Sequence, residues 1–425
     1  MTRDVILTLG LLLGAGLAAR LVAQVVGAPD VLLLVGAGAL LGPSGLDVID
    51  VPLPSLAAQL VFTLGVSAIL FHGGLSLSVD VLRGVWISLG LLAIVGVILT
   101  TVIVGLAATA VFGLPLTQGL LVGAVLSPTD PAILIPLFVG SRLRPKVAQT
   151  VVAESALNDP TGAVLALTLA AAVLSGDASL GHPVAEFAGD LALSTVLGLV
   201  AGVALSATIS SHRAGIWRDS APIAVLAVVA ISYVSLDSAG GSGYLGAFLA
   251  GLVVGNMEQL GLAMHSEHEH DMRVFAATLA DVVTAFVFLT IGANIPFQSL
   301  LDHLLPGLAV IAVLILVARP IAVAVCAAPD RRAAWSLPEL AFMSWTRETG
   351  VVPAALVGVL AGLRVPNGDI LSSVVAIAII VTLLAQALPA PWLAARLGLL
   401  DGHDADKDVD AARAAALAGG ERATP

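Results

Sequence analysis

The chain has 425 residues, of which 58% are hydrophobic and only 11% are charged. This composition excludes a soluble globular protein and, at about 20 apolar residues per membrane span, leaves room for on the order of twelve helices. The apolar runs are too long for barrel strands of about ten alternating residues. The net charge of -11 argues against a nucleic-acid partner, and the single cysteine, Cys326, excludes a disulfide framework and a cysteine-based metal site. We expect an all-α polytopic membrane protein.

Apolar runs between charged or Pro/Gly-rich breaks predict about thirteen transmembrane segments. The first is kept as a helix and not a cleaved signal peptide, because Asp4 cancels its positive charge. The second and ninth segments are short, so the number of spans is either twelve or thirteen. The predicted segments cover residues 5–26, 31–42, 56–71, 85–112, 117–139, 150–175, 188–210, 221–236, 243–256, 274–292, 304–328, 338–362 and 369–397.

The distribution of lysine and arginine predicts an outside N-terminus and a cytoplasmic C-terminus, because positive loops stay cytoplasmic. With thirteen spans, only Arg3 and Arg364 of the 18 basic residues fall outside, and two more lie within helices. With one span fewer, half of the loops would change sides and the asymmetry of the basic residues would be lost. Residues 1–399 then form the transmembrane domain, and the polar, Ala-rich segment 400–425 is expected to be a disordered cytoplasmic tail.

Polar residues within the spans indicate function, since an ionisable group in the bilayer costs at least about 2.5–3.5 kcal/mol. The fifth segment contains Ser127-Pro128-Thr129-Asp130-Pro131, whose two prolines forbid a regular helix. Such a break is tolerated where protein or a water-filled cavity satisfies the backbone. We predict that Asp130 caps the second half-helix and that Thr129 is a cation ligand; a simple proline kink is the alternative.

The sixth segment carries the densest polar stretch, residues 154–162. Glu154 and Asn158 are four residues apart, as are Ser155 and Asp159, so these side chains share one side of a helix. Hydroxyl, amide and carboxylate oxygens suit alkali cations. Because burial favours the neutral form of a carboxylic acid, Asp159 could exchange a proton for a cation. The alternative is a structural polar cluster between packed helices.

The twelfth segment repeats the pattern with Arg347, Glu348 and Pro353. Polar breaks seven segments apart predict two six-helix repeats of inverted topology, whose broken helices cross near the membrane midplane. A buried Arg347 needs an anionic partner, for which we favour Glu154, and we expect Glu348 at the broken helix ends. Arg319 either reaches for the cytoplasmic surface or sets the potential of the site.

These elements resemble the NhaP/NHE-type cation/proton antiporters over residues 1–397. The resemblance rests on five motifs in order, namely Ser127–Pro131, Glu154–Asp159, Phe288–Gly292, Arg319-Pro320 and Trp345–Gly350. It implies an NhaA-like fold in the inner membrane of a prokaryote, and a homodimer whose core domain moves like an elevator against a dimerisation domain. No cofactor is implied.

The resemblance also implies a cation site. Thr129, Ser155 and Asp159 would bind Na⁺, Li⁺ or K⁺ in exchange for H⁺, with Asn158, Asp130 and Glu154 in support and Arg347 paired to Glu154. The single Asn-Asp pair is similar to the electroneutral branch. Two positions depart from the family pattern. His72 replaces an acidic residue, which bears on the ligand set and the ion selectivity because a neutral imidazole does not attract a cation as a carboxylate does. Glu348 adds a carboxylate of unassigned role.

Other functions fit less well. The cluster His265, His268 and His270 lacks His-Glu-x-x-His spacing, which argues against a metalloprotease. It is interpreted as a solvated cytoplasmic loop, with pH sensing or adventitious metal binding as alternatives. Ser242 has no histidine in the neighbouring spans, so we do not expect an enzyme. A passive cation channel is the main rival, and it would need no titrating Asp159.

Overall fold

The computed structural model describes residues 2–26, 28–79, 83–130, 143–176, 181–211 and 215–400. This part is helical, with one isolated antiparallel bridge between Leu143 and Leu400. Within it, nine helices are long and apolar enough to cross a membrane, and four shorter apolar helices accompany them. The prediction of an all-α polytopic membrane protein is confirmed, while the count of thirteen spans stays a prediction.

We number the helices in chain order, counting a helix interrupted by a π-helical turn as one. They are α1 (Thr2–Val26), α2 (Asp30–Leu41), α3 (Leu56–Ser76), α4 (Trp86–Phe112), α5 (Leu116–Val125), α6 (Pro145–Ser175), α7 (Gly181–Ile209), α8 (Ala221–Ser238), α9 (Gly243–Gly255), α10 (Ser266–Ala293), α11 (Phe297–Asp302), α12 (Leu304–Ala327), α13 (Leu337–Trp345), α14 (Val351–Gly362) and α15 (Gly368–Arg396).

One helix begins well before its predicted segment and corrects the interpretation of the histidine cluster. α10 begins at Ser266, not near residue 274, so His268 and His270 lie in its first turns and His265 precedes it. Glu267 and Glu269 favour this extension, since acidic side chains stabilise the positive end of a helix. The cluster is therefore not a loop. Among the described residues, no group of three or more His, Cys, Asp or Glu is placed to hold a metal ion.

Helices α2 and α10 pack through glycines. A Cβ added to Gly38 would lie 2.2 Å from the carbonyl oxygen of Leu289, and one added to Gly292 would lie 2.2 Å from that of Val35. Such distances are below any real contact, so only glycine permits this approach. Small residues bring membrane helices together in this way because they let the backbones meet.

Helices α3 and α9 pack through the same kind of contact. A Cβ on Gly74 would lie 2.1 Å from the carbonyl oxygen of Phe248, and one on Gly251 would lie 2.0 Å from that of Phe71. Segments seven apart in the chain are predicted to be equivalent in the two repeats, so α2 corresponds to α9 and α3 corresponds to α10. The two glycine-lined pairs are then equivalent, which agrees with the expected inverted repeats.

The remaining contacts divide most of the helices into two groups, with α6 and α14 between them. The pairs α2–α10 and α3–α9 belong with α1, α7 and α8, whereas α4, α5, α12, α13 and α15 contact one another. α14 contacts α3 and α10 of the first group and α5 and α15 of the second, and α6 contacts α3, α7 and α9 of the first group and α4 and α5 of the second. The polar stretch of α6 therefore lies where the two groups meet.

Candidate functional site

The break in the fifth segment begins where α5 ends. Beyond Val125, residues 127–130 are not helical, and the last carbonyls of the helix turn towards Arg347. Arg347 Nη2 donates to the carbonyl of Leu126 and, at 3.0 Å, to the carbonyl of Ser127. A guanidinium here satisfies orphan carbonyls and opposes the negative end of the helix dipole.

Helix α6 satisfies the backbone groups of Thr129 in this break. The Asn158 amide donates from Nδ2 to Thr129 Oγ1 at 2.8 Å and accepts at Oδ1 from the Thr129 backbone N at 3.1 Å. Ser155 Oγ donates to the Thr129 carbonyl. Thr129, Ser155 and Asn158, which the sequence predicts as neighbours in one site, are thus in direct contact and buried.

Asp159 follows Asn158 on α6, beside this hydrogen-bonded group. It is partly buried, and its Oδ1 is shielded from solvent without a hydrogen-bond donor in the described part of the chain. Asp130 is the charged group that acts most directly on it. Because an ionised carboxylate accepts only, an unpartnered buried oxygen favours uptake of a proton or a cation.

Asp130 joins the two broken segments. Its backbone N donates to the Glu348 carbonyl at 3.1 Å, and its Oδ2 accepts from the Val351 backbone N at 3.2 Å, at the start of α14. The half-helix that Asp130 was predicted to cap, beyond residue 130, lies outside the described residues. The cap that the structure shows is instead on the other broken segment. A Cβ on Gly350 would lie 2.0 Å from Asp130 Cβ, so glycine permits the crossing.

The predicted pairing of Arg347 with Glu154 is wrong. Glu154 is paired with Arg319, whose Nη2 donates to Oε2 at 2.9 Å and whose Nη1 also contacts the carboxylate. Arg319 Nε donates to the Met343 carbonyl at 3.0 Å, and both partners are almost fully buried. α12 brings Arg319 alongside α6, whereas Arg347 is turned towards the end of α5. Arg319 therefore does not reach for the surface.

Two further polar residues contact the site without having been predicted. Thr382 and Gln386 on α15 are fully buried and contact the break between α13 and α14. The sequence feature that could have identified Thr382 and Gln386 is a pair of polar residues, four apart, in the apolar run 369–397. Glu348 is 1% exposed, and its Oε1 has no hydrogen-bond partner among the described residues.

His72 lies apart from these contacts. It is half-buried on α3, its carbonyl accepts from Ser76 Oγ at 2.9 Å, and the charges that act on it belong to Asp281 and Arg273. No described hydrogen bond or ion pair joins it to Asp159. Its neighbour Gly73 faces Ala156 of α6, so His72 sits next to the site without being one of its contacts.

A small cavity lies between the ion pair and the first break. Its polar lining comes from Thr100, Ser127, Asn158, Arg347 and the Arg319–Glu154 pair. Its apolar wall includes Leu92 and Gly96 from the π-helical turn Leu92–Gly96 of α4. π-helical turns are frequent at functional sites. The seven-segment offset relates α4 to α12, which has its own π-helical turn at Leu314–Ala318.

Comparisons with known proteins place the chain among transporters. Residues 9–396 match the family model described as "Sodium/hydrogen exchanger, transmembrane". The "K(+)/H(+) antiporter NhaP" of Alkalimonas amylolytica is 32% identical over 96% of this chain and 70% of its own length. The "Probable Na(+)/H(+) antiporter 2" of Methanocaldococcus jannaschii is 30% identical over 82% of each chain.

A solved structure shares the fold. The sodium proton antiporter MjNhaP1 of Methanocaldococcus jannaschii, determined at pH 8, aligns with a TM-score of 0.78 and 26% identity. The alignment covers 93% of this chain and 99% of that one. The family is one of transporters, and the agreement over nearly the full length confirms the antiporter fold expected from the motifs.

Proposed function

Because the chain belongs to the sodium/hydrogen exchanger family, we propose that it exchanges a monovalent cation for H⁺ through competition at Asp159. The observation that carries this proposal is Asp159 Oδ1, which has no hydrogen-bond partner among the described residues, on the helix whose Ser155 and Asn158 contact Thr129. Hard oxygen donors suit alkali cations. Either a cation or a proton neutralises the carboxylate, so the two exclude each other. One carboxylate of this kind carries one proton per cation, which makes the exchange electroneutral.

Na⁺ is the proposed cation, and K⁺ is the second candidate. The names of the relatives support both, since one is called a K⁺/H⁺ antiporter and another a probable Na⁺/H⁺ antiporter. Li⁺ shares the same ligand chemistry.

The proposed setting is the inner membrane of a prokaryote, with the N-terminus outside and the C-terminus cytoplasmic. We propose a homodimer in which the helices around α4, α5 and α12–α15 form the moving core. The position of α6 between the two helix groups supports this division, because relative movement there would expose Asp159 to each side in turn.

The experiment uses everted membrane vesicles with a preformed pH gradient. Addition of Na⁺, K⁺ or Li⁺ should dissipate the gradient with the wild-type chain and fail to do so with Asp159→Asn, which cannot carry the proton. Asp369→Asn is the matched control, because Asp369 is exposed at the start of α15. Its activity should equal that of the wild type.

Two results would contradict the proposal. Cation-dependent proton movement that persists in Asp159→Asn would show that this carboxylate is not the exchanging group. Cation flux without coupled proton movement would favour a channel. A strong dependence of the wild-type rate on an imposed membrane potential would contradict the one-to-one stoichiometry alone.

A further inference from the structure

Two side chains of α15 hold the second broken segment at both ends. Gln386 Nε2 donates to the carbonyl of Trp345, the last residue of α13. Thr382 Oγ1 accepts from the backbone N of Thr349 at 3.0 Å, just before α14 begins. Both side chains are 0% exposed. Polar groups buried in an apolar helix are costly unless they make such bonds.

The break needs these partners because residues 346–350 are not helical and leave backbone groups unsatisfied inside the membrane. Thr382 and Gln386 are four residues apart, with the π-helical turn Leu383–Ala387 following Thr382. Their contacts with Trp345 and Thr349 show that both side chains face the same five-residue break.

The first broken segment is held in the same manner from α6. Ser155 donates to the Thr129 carbonyl and Asn158 accepts from its backbone N, so each break has one hydroxyl and one amide side chain as its brace. α6 and α15 are the sixth and thirteenth segments, which the seven-segment offset relates. The two braces differ in hydrogen-bond direction, since the hydroxyl donates and the amide accepts at the first break and the reverse holds at the second. They also differ because α6 adds Asp159 beside its brace, whereas Gln386 is followed by alanine. The second repeat thus keeps the brace without the exchanging carboxylate.

The braced segment reaches the cation site through Arg347. This residue lies between Trp345 and Thr349, and its Nη2 donates to the carbonyl of Ser127, two residues before Thr129. α15 therefore fixes the break, the break fixes Arg347, and Arg347 holds the end of the chain that carries Thr129. Binding sites tolerate ligand displacements of only about 0.5 Å before affinity falls.

We propose that Thr382 and Gln386 are positioning residues that set the cation affinity and the Na⁺/K⁺ preference of the Asp159 site. They bind no cation themselves and act through Arg347. The inference rests on the proposed function, since it concerns the same site. It adds residues from the opposite repeat that no sequence motif marks.

The test compares substitutions that remove the hydrogen bond with one that keeps it. Thr382→Val removes the hydroxyl at similar shape, Thr382→Ser retains it, and Gln386→Met removes the amide at similar length. In the vesicle assay, Thr382→Val and Gln386→Met should raise the apparent KM for the better cation by about two- to tenfold, the range expected for one net hydrogen bond. The ratio of kcat/KM for Na⁺ to kcat/KM for K⁺ should change together with the apparent KM. Thr382→Ser should stay within about twofold of the wild type.

A second measurement keeps the outcome clear. Melting temperatures of the purified protein over a series of Na⁺ and K⁺ concentrations report cation binding without transport, because a ligand of the folded state stabilises it as its concentration exceeds Kd. Weaker cation binding in Thr382→Val that is restored in Thr382→Ser would support the inference. If the vesicles showed no exchange, that result would overturn only the proposed function. Unchanged affinity and ratio, with a loss confined to maximal rate or to expression, would overturn the inference.

Discussion

Arg319 and Glu154 are removed from water together, and each replaces the hydration that the other has lost. Four per cent of Arg319 and 2% of Glu154 remain exposed, and the guanidinium contacts both carboxylate oxygens. Arg319 also donates to the Met343 carbonyl on α13, so one side chain links α12, α6 and α13. A planar fork of this kind fits a carboxylate in a way that an ammonium group does not.

Removal of one partner should therefore be more harmful than removal of both. Arg319→Ala leaves the Glu154 charge buried and unpaired and should destabilise the protein by about 3–5 kcal/mol. The double variant Arg319→Met with Glu154→Leu should recover most of that loss, and Arg319→Lys should lie between. Thermal unfolding of the detergent-solubilised protein is the measurement. An Arg319→Ala variant as stable as the wild type would contradict a stabilising role for this ion pair.

The sequence marks Glu154, Arg319 and Arg347 as buried charges because ionisable residues in apolar runs are conspicuous. It does not reveal which arginine meets the glutamate. Spacing along one helix predicts the face on which a side chain lies, but the partner depends on the register between helices, and many distant contacts decide that register together.

At the scale of elements, a hydrogen-bonded turn ties the start of α4 to the connection between α12 and α13. Asp330 accepts from the backbone N and the Oγ of Ser88 at 3.1 and 2.8 Å, and also from the Ala333 backbone N at 3.2 Å. Trp335 Nε1 donates to Ser88 Oγ at 2.9 Å. Burial alone would raise the pKa of Asp330, but the bonds from Ser88 and Ala333 outweigh it and hold this pKa below its ordinary value.

The lowered pKa predicts a pH-dependent contribution to stability. A carboxylate whose pKa is lower in the folded state stabilises the protein fully above its unfolded value of about 3.9, and the contribution is lost as the pH falls through the folded pKa. Asp330→Asn should melt below the wild type at pH 6, by the equivalent of about 1–3 kcal/mol, and the difference should shrink below about pH 4. Asp302→Asn, at an exposed carboxylate of α11, is the control. A gap that stays constant with pH would contradict the role assigned to the charge.

Helix boundaries were predictable to the extent that the bilayer sets them. The apolar part of α10 was predicted, but not its first two turns, since polar residues outside the bilayer carry no hydropathy signal. The α13–α14 break was predicted from its polar residues. Its brace by Thr382 and Gln386 was not, because a threonine and a glutamine without charge are weak signals within an apolar run.

At the scale of the whole molecule, the inverted repeat is visible in the packing of two equivalent, glycine-lined helix pairs, α2–α10 and α3–α9. Gly38→Ala and Gly251→Ala each place a Cβ about 2 Å from a backbone oxygen and should destabilise the protein by about 1–3 kcal/mol through overpacking. Thermal unfolding of the purified variants is the measurement.

The control for this packing is Gly36→Ala on the same helix as Gly38. An added Cβ at Gly36 meets no atom within 4 Å, so this variant should melt at or slightly above the wild-type temperature. If Gly38→Ala and Gly251→Ala behaved as Gly36→Ala does, the close approach of the helices would be wrong. An effect in only one of the two pairs would contradict their equivalence.

The sequence by itself determined that this protein lies in a membrane, which segments are apolar, and which residues are costly enough there to indicate ion exchange. Through its resemblance to the antiporters it also implied one cation site of Thr129, Ser155 and Asp159 with Asn158 in support, and helix spacing placed Ser155, Asn158 and Asp159 on one side of a helix. Only the tertiary structure decided that Arg319 holds Glu154, that Asp130 caps α14, and that α15 braces the second break. Each of these contacts joins helices distant in sequence, and the packing of all the helices around α6 sets their relative positions.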